Sequence, residues 1–289
     1  MKKNTLVYRI FALTLIVTIL AGCKKEEEVK PSSEQNFAST QATIDLLAEL
    51  ETINNMASGF GDSDPSSGKI NKTTASARLN RMLEQECGTS TYTRNEAGQR
   101  IYTFDYGTGV VCDSVSFKGK ITFVITTIEN GFEVAVPDFN GYTENGRTFN
   151  GSYVLTITRI DSSRKQVAKY NNASVTYEDG SQIKWSSTHT LSYKLDVKEN
   201  LPNGGTSYSP SITSTTGEIS GINKKGTAFT ATIKDPILTT KSCNYLRVSG
   251  NYLIETEGYS NAVLDYGDGT CDDKATLTID GVTKTITIK

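Results

Sequence analysis

The 289-residue chain has one histidine and one tryptophan, no Cys-x-x-Cys pair and no G-x-S-x-G turn. Each shortage closes a route to function. With His189 as the only imidazole, a Ser-His-Asp triad has a single place to start, and no nucleophile elbow frames it. A zinc site wants cysteines and histidines in close pairs. Here Cys87, Cys112, Cys243 and Cys271 are spread along the chain, far in sequence from His189. Excess basic charge is missing too, since 30 Lys plus Arg stand against 32 Asp plus Glu, which argues against a nucleic-acid partner. Those acidic residues include no pair in a recognisable glycosidase frame. The apolar run at the N-terminus, Ile10 to Leu20, is short for a membrane span, and no second run could cross.

What is present begins with Lys2, Lys3 and Arg9 ahead of that run, followed by Leu20-Ala21-Gly22-Cys23. Residues 1–22 read as a secretion signal. Small residues directly before a cysteine resemble the bacterial lipobox, which implies that Cys23 is lipidated and becomes the first mature residue. An ordinary signal peptide with a chance cysteine is the alternative. Several acyl chains would make a durable anchor, at about 0.8 kcal/mol per buried methylene. The polar stretch from Cys23 to about Thr40 reads as an unfolded tether, and about 17 flexible residues would reach about 20–25 Å. Lys24 and Lys25 followed by Glu26, Glu27 and Glu28 resemble the surface-export signal of Bacteroidota lipoproteins, implying an outer-membrane protein facing the medium. A plain solvated linker would look the same. Loss of residues 1–22 removes three basic and no acidic residues, leaving 27 against 32 and a net charge of about −5.

The segment 41–86 carries helical signals. Over Ala42 to Met56, Leu46, Leu47, Leu50 and Ile53 fall on one stripe, and over Ala75 to Glu86 so do Leu79, Met82 and Leu83. Between them GFGDSDPSSGKINKT is loop, and the stripes read as core contacts that cap the sheet. After residue 100 the period changes to two. KITFVITTI, SYVLTITRI, ASVTYED, SQIKWSSTHTLSYKLDV, TAFTATI, YLRVSGNYLIETEG, KATLTI and VTKTITI are strand segments rich in Thr, Ile, Val and Tyr. Asn130-Gly131, Asn145-Gly146, Asp179-Gly180 and Asp280-Gly281 are placed to close tight hairpins. The expected class is therefore all-β: a large antiparallel sheet or β-sandwich over 87–289 with a short α-helical N-terminal segment, one face of the sheet meeting water.

One phrase occurs twice, FDYGTGVVCDS from Phe104 and LDYGDGTCDD from Leu264. In each an apolar strand residue leads into Asp-Tyr-Gly-x-Gly, then a cysteine, an aspartate and a new strand. The glycines permit a tight turn, the aspartate can accept turn amides, the tyrosine can cover the corner and the cysteine can tie it upstream. Cys87 lies 25 positions before Cys112 and Cys243 lies 28 before Cys271, so the repeat selects the disulfides 87–112 and 243–271. It also suggests two related halves of one β domain, about 85–200 and 201–289. The second copy gathers Asp265, Asp268, Asp272 and Asp273, four carboxylates that could hold calcium, although their spacing is not that of an EF-hand and the first copy has Thr108 at the corresponding place.

The lipobox, the paired DYG-x-G phrases with their upstream and downstream cysteines, and the middle segment NNASVTYEDGSQIKW together resemble a group of Bacteroidota surface lipoproteins without an assigned function. The resemblance implies location and architecture and carries no catalytic residues. No acid, base or nucleophile is framed by the residues themselves, so the expectation is a non-enzymatic lipoprotein with no cofactor, attached to the membrane by its lipid. Exposed rings, Trp185 and Tyr193 first and Tyr170 and Tyr177 after them, would present a binding surface to a glycan or a protein. Trp185, Ser187 and His189, which share a face of one strand, would then be a surface ladder. The other reading is a structural or adhesive component of an envelope assembly, joined through sheet edges and the N-terminal helix.

Overall fold

The computed structural model describes residues 31–59, 87–112, 114–200 and 206–288. Cys23, the secretion signal, the export signal, most of the loop after residue 59 and the expected helix at Ala75–Glu86 lie outside the described residues.

The first element is α1 (Ser33–Gly59), and it starts inside the stretch read as tether. The reason is a capping box. Ser32 N–H donates to Gln35 Oε1 at 2.8 Å while Gln35 N–H donates back to Ser32 Oγ at 3.3 Å, so the polar residues that suggested disorder form a helix start. Asn36, Ser39 and Thr40, at 2%, 0% and 1% exposure, are then buried against the sheet rather than solvated. The expected stripe residues Leu46 and Leu47 are buried on the same helix.

The strands follow as β1 (Thr89–Arg94), β2 (Arg100–Asp105), β3 (Val110–Cys112), β4 (Val115–Lys118), β5 (Lys120–Ile128), β6 (Gly131–Val136), β7 (Thr143–Glu144), β8 (Arg147–Ile160) and β9 (Ser163–Thr176). The second part holds β10 (Gln182–Lys194), β11 (Val197–Asn200), β12 (Thr206–Ser209), β13 (Ile212–Ile222), β14 (Ala228–Thr240), β15 (Arg247–Thr256), β16 (Ala262–Asp268), β17 (Lys274–Ile279) and β18 (Val282–Thr287). Among the described residues they make one 16-stranded antiparallel sheet, in the order β1-β2-β5-β6-β8-β9-β10-β13-β14-β15-β16-β17-β18 with β3, β4 and β7 alongside, and a small ribbon of β11 and β12. Hairpin turns dictate this order. Asn145-Gly146 and Asp280-Gly281 both take positive φ, as tight type I′ links require. At the β5–β6 hairpin the linking pair is Glu129-Asn130, one residue earlier than expected, and Gly131 is already paired with Ile128.

The register aligns Val136, Tyr153, Tyr170, Ser187, Ile219, Ala231, Ile254, Ala262 and Ile279 in one row across the sheet. Every member is buried, and Ser187 is the one small polar side chain in the row. The sheet cannot be flat. Helix α1 packs against β6 and β8 and also against β15 and β17. At roughly 4.8 Å per strand, β9 and β16 would lie about 24 Å apart in a flat sheet, yet Gln166 of β9 and Tyr266 of β16 line one cavity of about 300 Å³ together with Leu47 of the helix. The sheet therefore curls around α1, a sandwich-like arrangement made from one continuous sheet, and its buried cluster spans both halves of the sequence.

Candidate functional site

The repeated phrase builds the same kind of turn twice. In both copies the aspartate accepts from the amide of the first glycine, Asp105 from Gly107 at 3.0 Å and Asp265 from Gly267 at 2.8 Å, and the tyrosine is buried, Tyr106 stacked on Phe117 and Tyr266 edge-on to Tyr252. Cys87 is joined to Cys112 and Cys243 to Cys271. The carboxylates proposed for calcium are engaged locally: Asp268 accepts from the Thr270 amide and hydroxyl, at 3.3 and 2.7 Å, and Asp272 from the Lys274 amide at 3.2 Å. The Thr270 hydroxyl holds the Asp268 carboxyl below its usual range. Among the described residues no three His, Cys, Asp or Glu side chains converge as a metal would need.

Strand β10 leads to a different place. Ile183, Trp185, Ser187, His189, Leu191 and Tyr193 lie on one face, and Lys184, Ser186, Thr188, Thr190, Ser192 and Lys194 on the other. Because the sheet curls, the first set points inward. Trp185 is 4% exposed and packs 5.7 Å from Tyr170, so it is a core residue and not the exposed ring expected of a surface platform. Tyr170 is buried as well. Tyr193 is half-buried and accepts from Gln166 Nε2 at 3.0 Å, and Tyr177 lies under the Lys224 ammonium, 3.5 Å from its ring centroid. The surface ladder of Trp185, Ser187 and His189 is thus an interior row.

Beyond Ser187 this interior opens into a cavity of about 300 Å³ between α1 and the inner faces of β9, β10, β13, β14, β15 and β16. Leu47 closes it from the helix. Ala168, Tyr170, Leu191, Ile237, Tyr252 and Tyr266 supply apolar wall, and Gln166, His189, Thr213, Thr215, Thr239 and Arg247 supply polar groups. The exposure of β10 rises from buried at Ile183, Trp185 and Ser187 to half-buried at His189, Leu191 and Tyr193, which places the mouth at the Tyr193 end.

His189 sits in a niche made by small neighbours, Ala168 on one flank and Gly217 on the other. Gly217 has φ +145°, and a Cβ there would come within 2.9 Å of His189 Cδ2, so only glycine leaves the imidazole its room. Burial pushes the His189 pKa down from 6.5 to about 4, and the ring is neutral at physiological pH. Desolvation also pushes the Tyr252 and Tyr266 phenols up, so among the described residues that line the cavity the Arg247 guanidinium, 5.6 Å from the Tyr266 ring, is the charged group.

Three consecutive inward side chains of β10 leave a polar atom without a hydrogen-bond partner among the described residues: Trp185 Nε1, Ser187 Oγ and His189 Nε2. Across from the sheet, Ser39 Oγ and Thr43 Oγ1 of α1 do the same. Each such group costs roughly 1–3 kcal/mol, and natural cores hold few of them. Among the described residues Ser187 Oγ and His189 Nε2 are bonded neither to each other nor to a carboxylate. What the arrangement offers is a small, largely apolar chamber with convergent hydrogen-bonding groups, the usual form of a small-molecule site. No family model, no curated protein and no solved structure matches the chain.

Proposed function

We propose that this chain is a non-enzymatic, ligand-binding lipoprotein of the outer membrane, held at the cell surface through Cys23, and that its ligand is a small molecule taken into the cavity between α1 and the sheet. The observation that carries the reading is the run of unpartnered polar atoms on β10 beside that cavity. At about 300 Å³ the chamber lies at the lower end of small-molecule sites, so an extended glycan is too large for it. The anchor keeps the module at the membrane, and the compact unit 31–289 does the binding.

Native mass spectrometry of the protein released from its own cells tests this reading. Wild type should carry a bound small molecule, and Thr215→Trp, which fills the cavity from a half-buried wall position, should release it. Identical spectra for the two forms would oppose the reading. Palmitate labelling that persists in Cys23→Ser would oppose the anchor separately. A second reading, an assembly component, draws on the two ends of the strand order: β1 is exposed along its whole length and, like β18, pairs with one neighbour among the described residues. Cross-linking in intact cells through Thr91→Cys would capture an envelope protein if that edge is a joint.

A further inference from the structure

Resting on the proposed ligand-binding reading, we infer that the cavity takes a small phenol-type molecule, a single aromatic ring whose hydroxyl enters first and is held by His189 Nε2. Of the three inward side chains of β10 whose polar atom lacks a partner among the described residues, His189 is the one that lines the cavity. It lies four residues inward of Tyr193 at the mouth, about 13 Å at roughly 3.3 Å per residue, and so stands at the floor. The residues that flank it in the register, Ala168 and Gly217, carry no polar side chain, so at this point of the floor the imidazole supplies the hydrogen-bonding contact.

The state of that ring selects the chemistry. A neutral imidazole nitrogen carries either a proton or a lone pair, and a hydroxyl can accept from the first or donate to the second, whereas a ketone or ether oxygen meets only one of them. An amide could meet both, but it would bring a further polar atom against Ala168 and Gly217. Charge is disfavoured at the floor, because the burial that moves the His189 pKa from 6.5 to about 4 would also penalise an ion placed beside it. The wall favours a ring. Tyr170, Tyr252 and Tyr266 line the cavity, and Tyr252 and Tyr266 meet edge-on, their centroids 6.4 Å apart and their planes at 68°. A third ring extends such an edge-to-face corner, with Leu47, Leu191 and Ile237 against its substituent. The volume, about 300 Å³, is that of about ten waters at roughly 30 Å³ each, room for one ring with a short substituent.

Calorimetric titration with para-cresol, toluene, para-toluate and the saturated para-methylcyclohexanol decides the matter, with the His189 ring nitrogens followed by NMR in labelled protein. The protein is the chain from position 23 with Cys23→Ser, which keeps the compact unit 31–289 whole. Cresol should bind at least tenfold more tightly than toluene or toluate and several-fold more tightly than the saturated alcohol, and it should shift the His189 nitrogen signals where toluene leaves them nearly still. His189→Phe should bring the cresol-to-toluene ratio to within twofold, while His189→Gln keeps most of it. If His189→Phe does not fold, the wild-type nitrogen shift decides alone. Equal binding of cresol and toluene, a ratio that survives His189→Phe, or nitrogen signals that stay still as cresol saturates overturns the hydroxyl contact while leaving a ligand cavity in place. Toluate or methylcyclohexanol binding as tightly as cresol overturns the neutral aromatic class. Binding of none of the four also overturns it, and if wild-type protein from cells then carries no small molecule, the ligand-binding reading falls as well.

Discussion

The lone histidine offers a direct test of the interior assigned to β10. Burial lowers the His189 pKa from 6.5 to about 4, so between those values the unfolded chain binds a proton that the folded chain does not. The unfolded state gains relative to the native one as pH falls, and stability is lost between about pH 6.5 and pH 4, with no further loss below. At about 1.36 kcal/mol per pH unit, the window is worth roughly 3 kcal/mol. Asp105, Asp179, Asp196 and Asp268 are held below their ordinary value of 3.8, so their contributions are lost at lower pH and stay nearly constant across most of this window. Urea unfolding of wild type and His189→Gln at pH 7, 5.5 and 4.5 should give a wild-type curve that falls with pH and a variant curve that is nearly flat. Because the chain has one histidine, its imidazole proton signals titrate without ambiguity. A midpoint near 4 fits an inward ring. A midpoint of 6 to 7, or equal pH slopes for the two proteins, would refute the burial of His189 and with it the site.

Other substitutions check the frame around that site. Trp185→Ala should cost about 3–5 kcal/mol in chemical denaturation, as loss of a buried ring does, and a cost under about 1 kcal/mol would return the ring to the surface. Replacing Cys87 or Cys243 by Ala opens a loop of 25 or 28 residues and should cost about 3.5 kcal/mol on the chain-entropy model; negligible loss would show that these bridges do not restrain the unfolded chain. In the second phrase, Gly267→Val should destabilise through strain at φ +97° alone, since its Cβ would meet nothing closer than Val248 O at 3.8 Å, whereas exposed Asp268→Ala should leave stability nearly unchanged. Calcium at a hundred times its dissociation constant would add about 2.7 kcal/mol if it bound there, so an unchanged melting curve is the expected result and a shift abolished by Asp268→Ala would contradict it.

Much of the architecture was legible from local chemistry. Period-two Thr, Ile and Val segments and the Asn145-Gly146 and Asp280-Gly281 turns carry the antiparallel sheet, whereas Asp179-Gly180 lies in a five-residue link between Thr176 and Gln182, and the repeated phrase carries the disulfide pairing because each copy needs its own upstream cysteine. The helix start was also written in the chain, in the Ser32-x-x-Gln35 capping box, but composition outweighed it: Asn36, Ser39 and Thr40 look solvated until a sheet covers them. Trp185 shows a subtler limit. Alternation says which residues share a face and leaves open which face is inward. The answer lay in the contrast between Ile183, Trp185 and Leu191 on one face of β10 and Lys184, Thr188 and Lys194 on the other, a contrast that a flat sheet with one wet face did not bring out.

Arg247 was beyond this kind of reading. Along β15 the register shifts between Ser249 and Asn251, so Arg247 and Tyr252, five residues apart and of opposite parity, line the same cavity. Simple alternation places one of them outside. Gly217 faces His189 in the unbroken register of β10 and β13, while a second irregularity, at Thr215–Glu218, lies in the pairing of β13 with β14. The cavity thus owes its shape to bulges and to the curl of the sheet around α1, long-range features that the period of a segment does not encode.

The most direct measurement uses the two reporters that the chain has in single copy, Trp185 and His189, both on the inward face of β10. In nitrogen-labelled protein the indole N–H of Trp185 gives one cross-peak, and the imidazole of His189 gives another set. A small-molecule extract of the native cell envelope is titrated in while both are followed. A cavity ligand predicts that the two sets move together and saturate in wild type, and that neither moves in Thr215→Trp. Shifts confined to exposed residues such as those of β1, with Trp185 and His189 unchanged, would contradict a ligand seat inside the curled sheet.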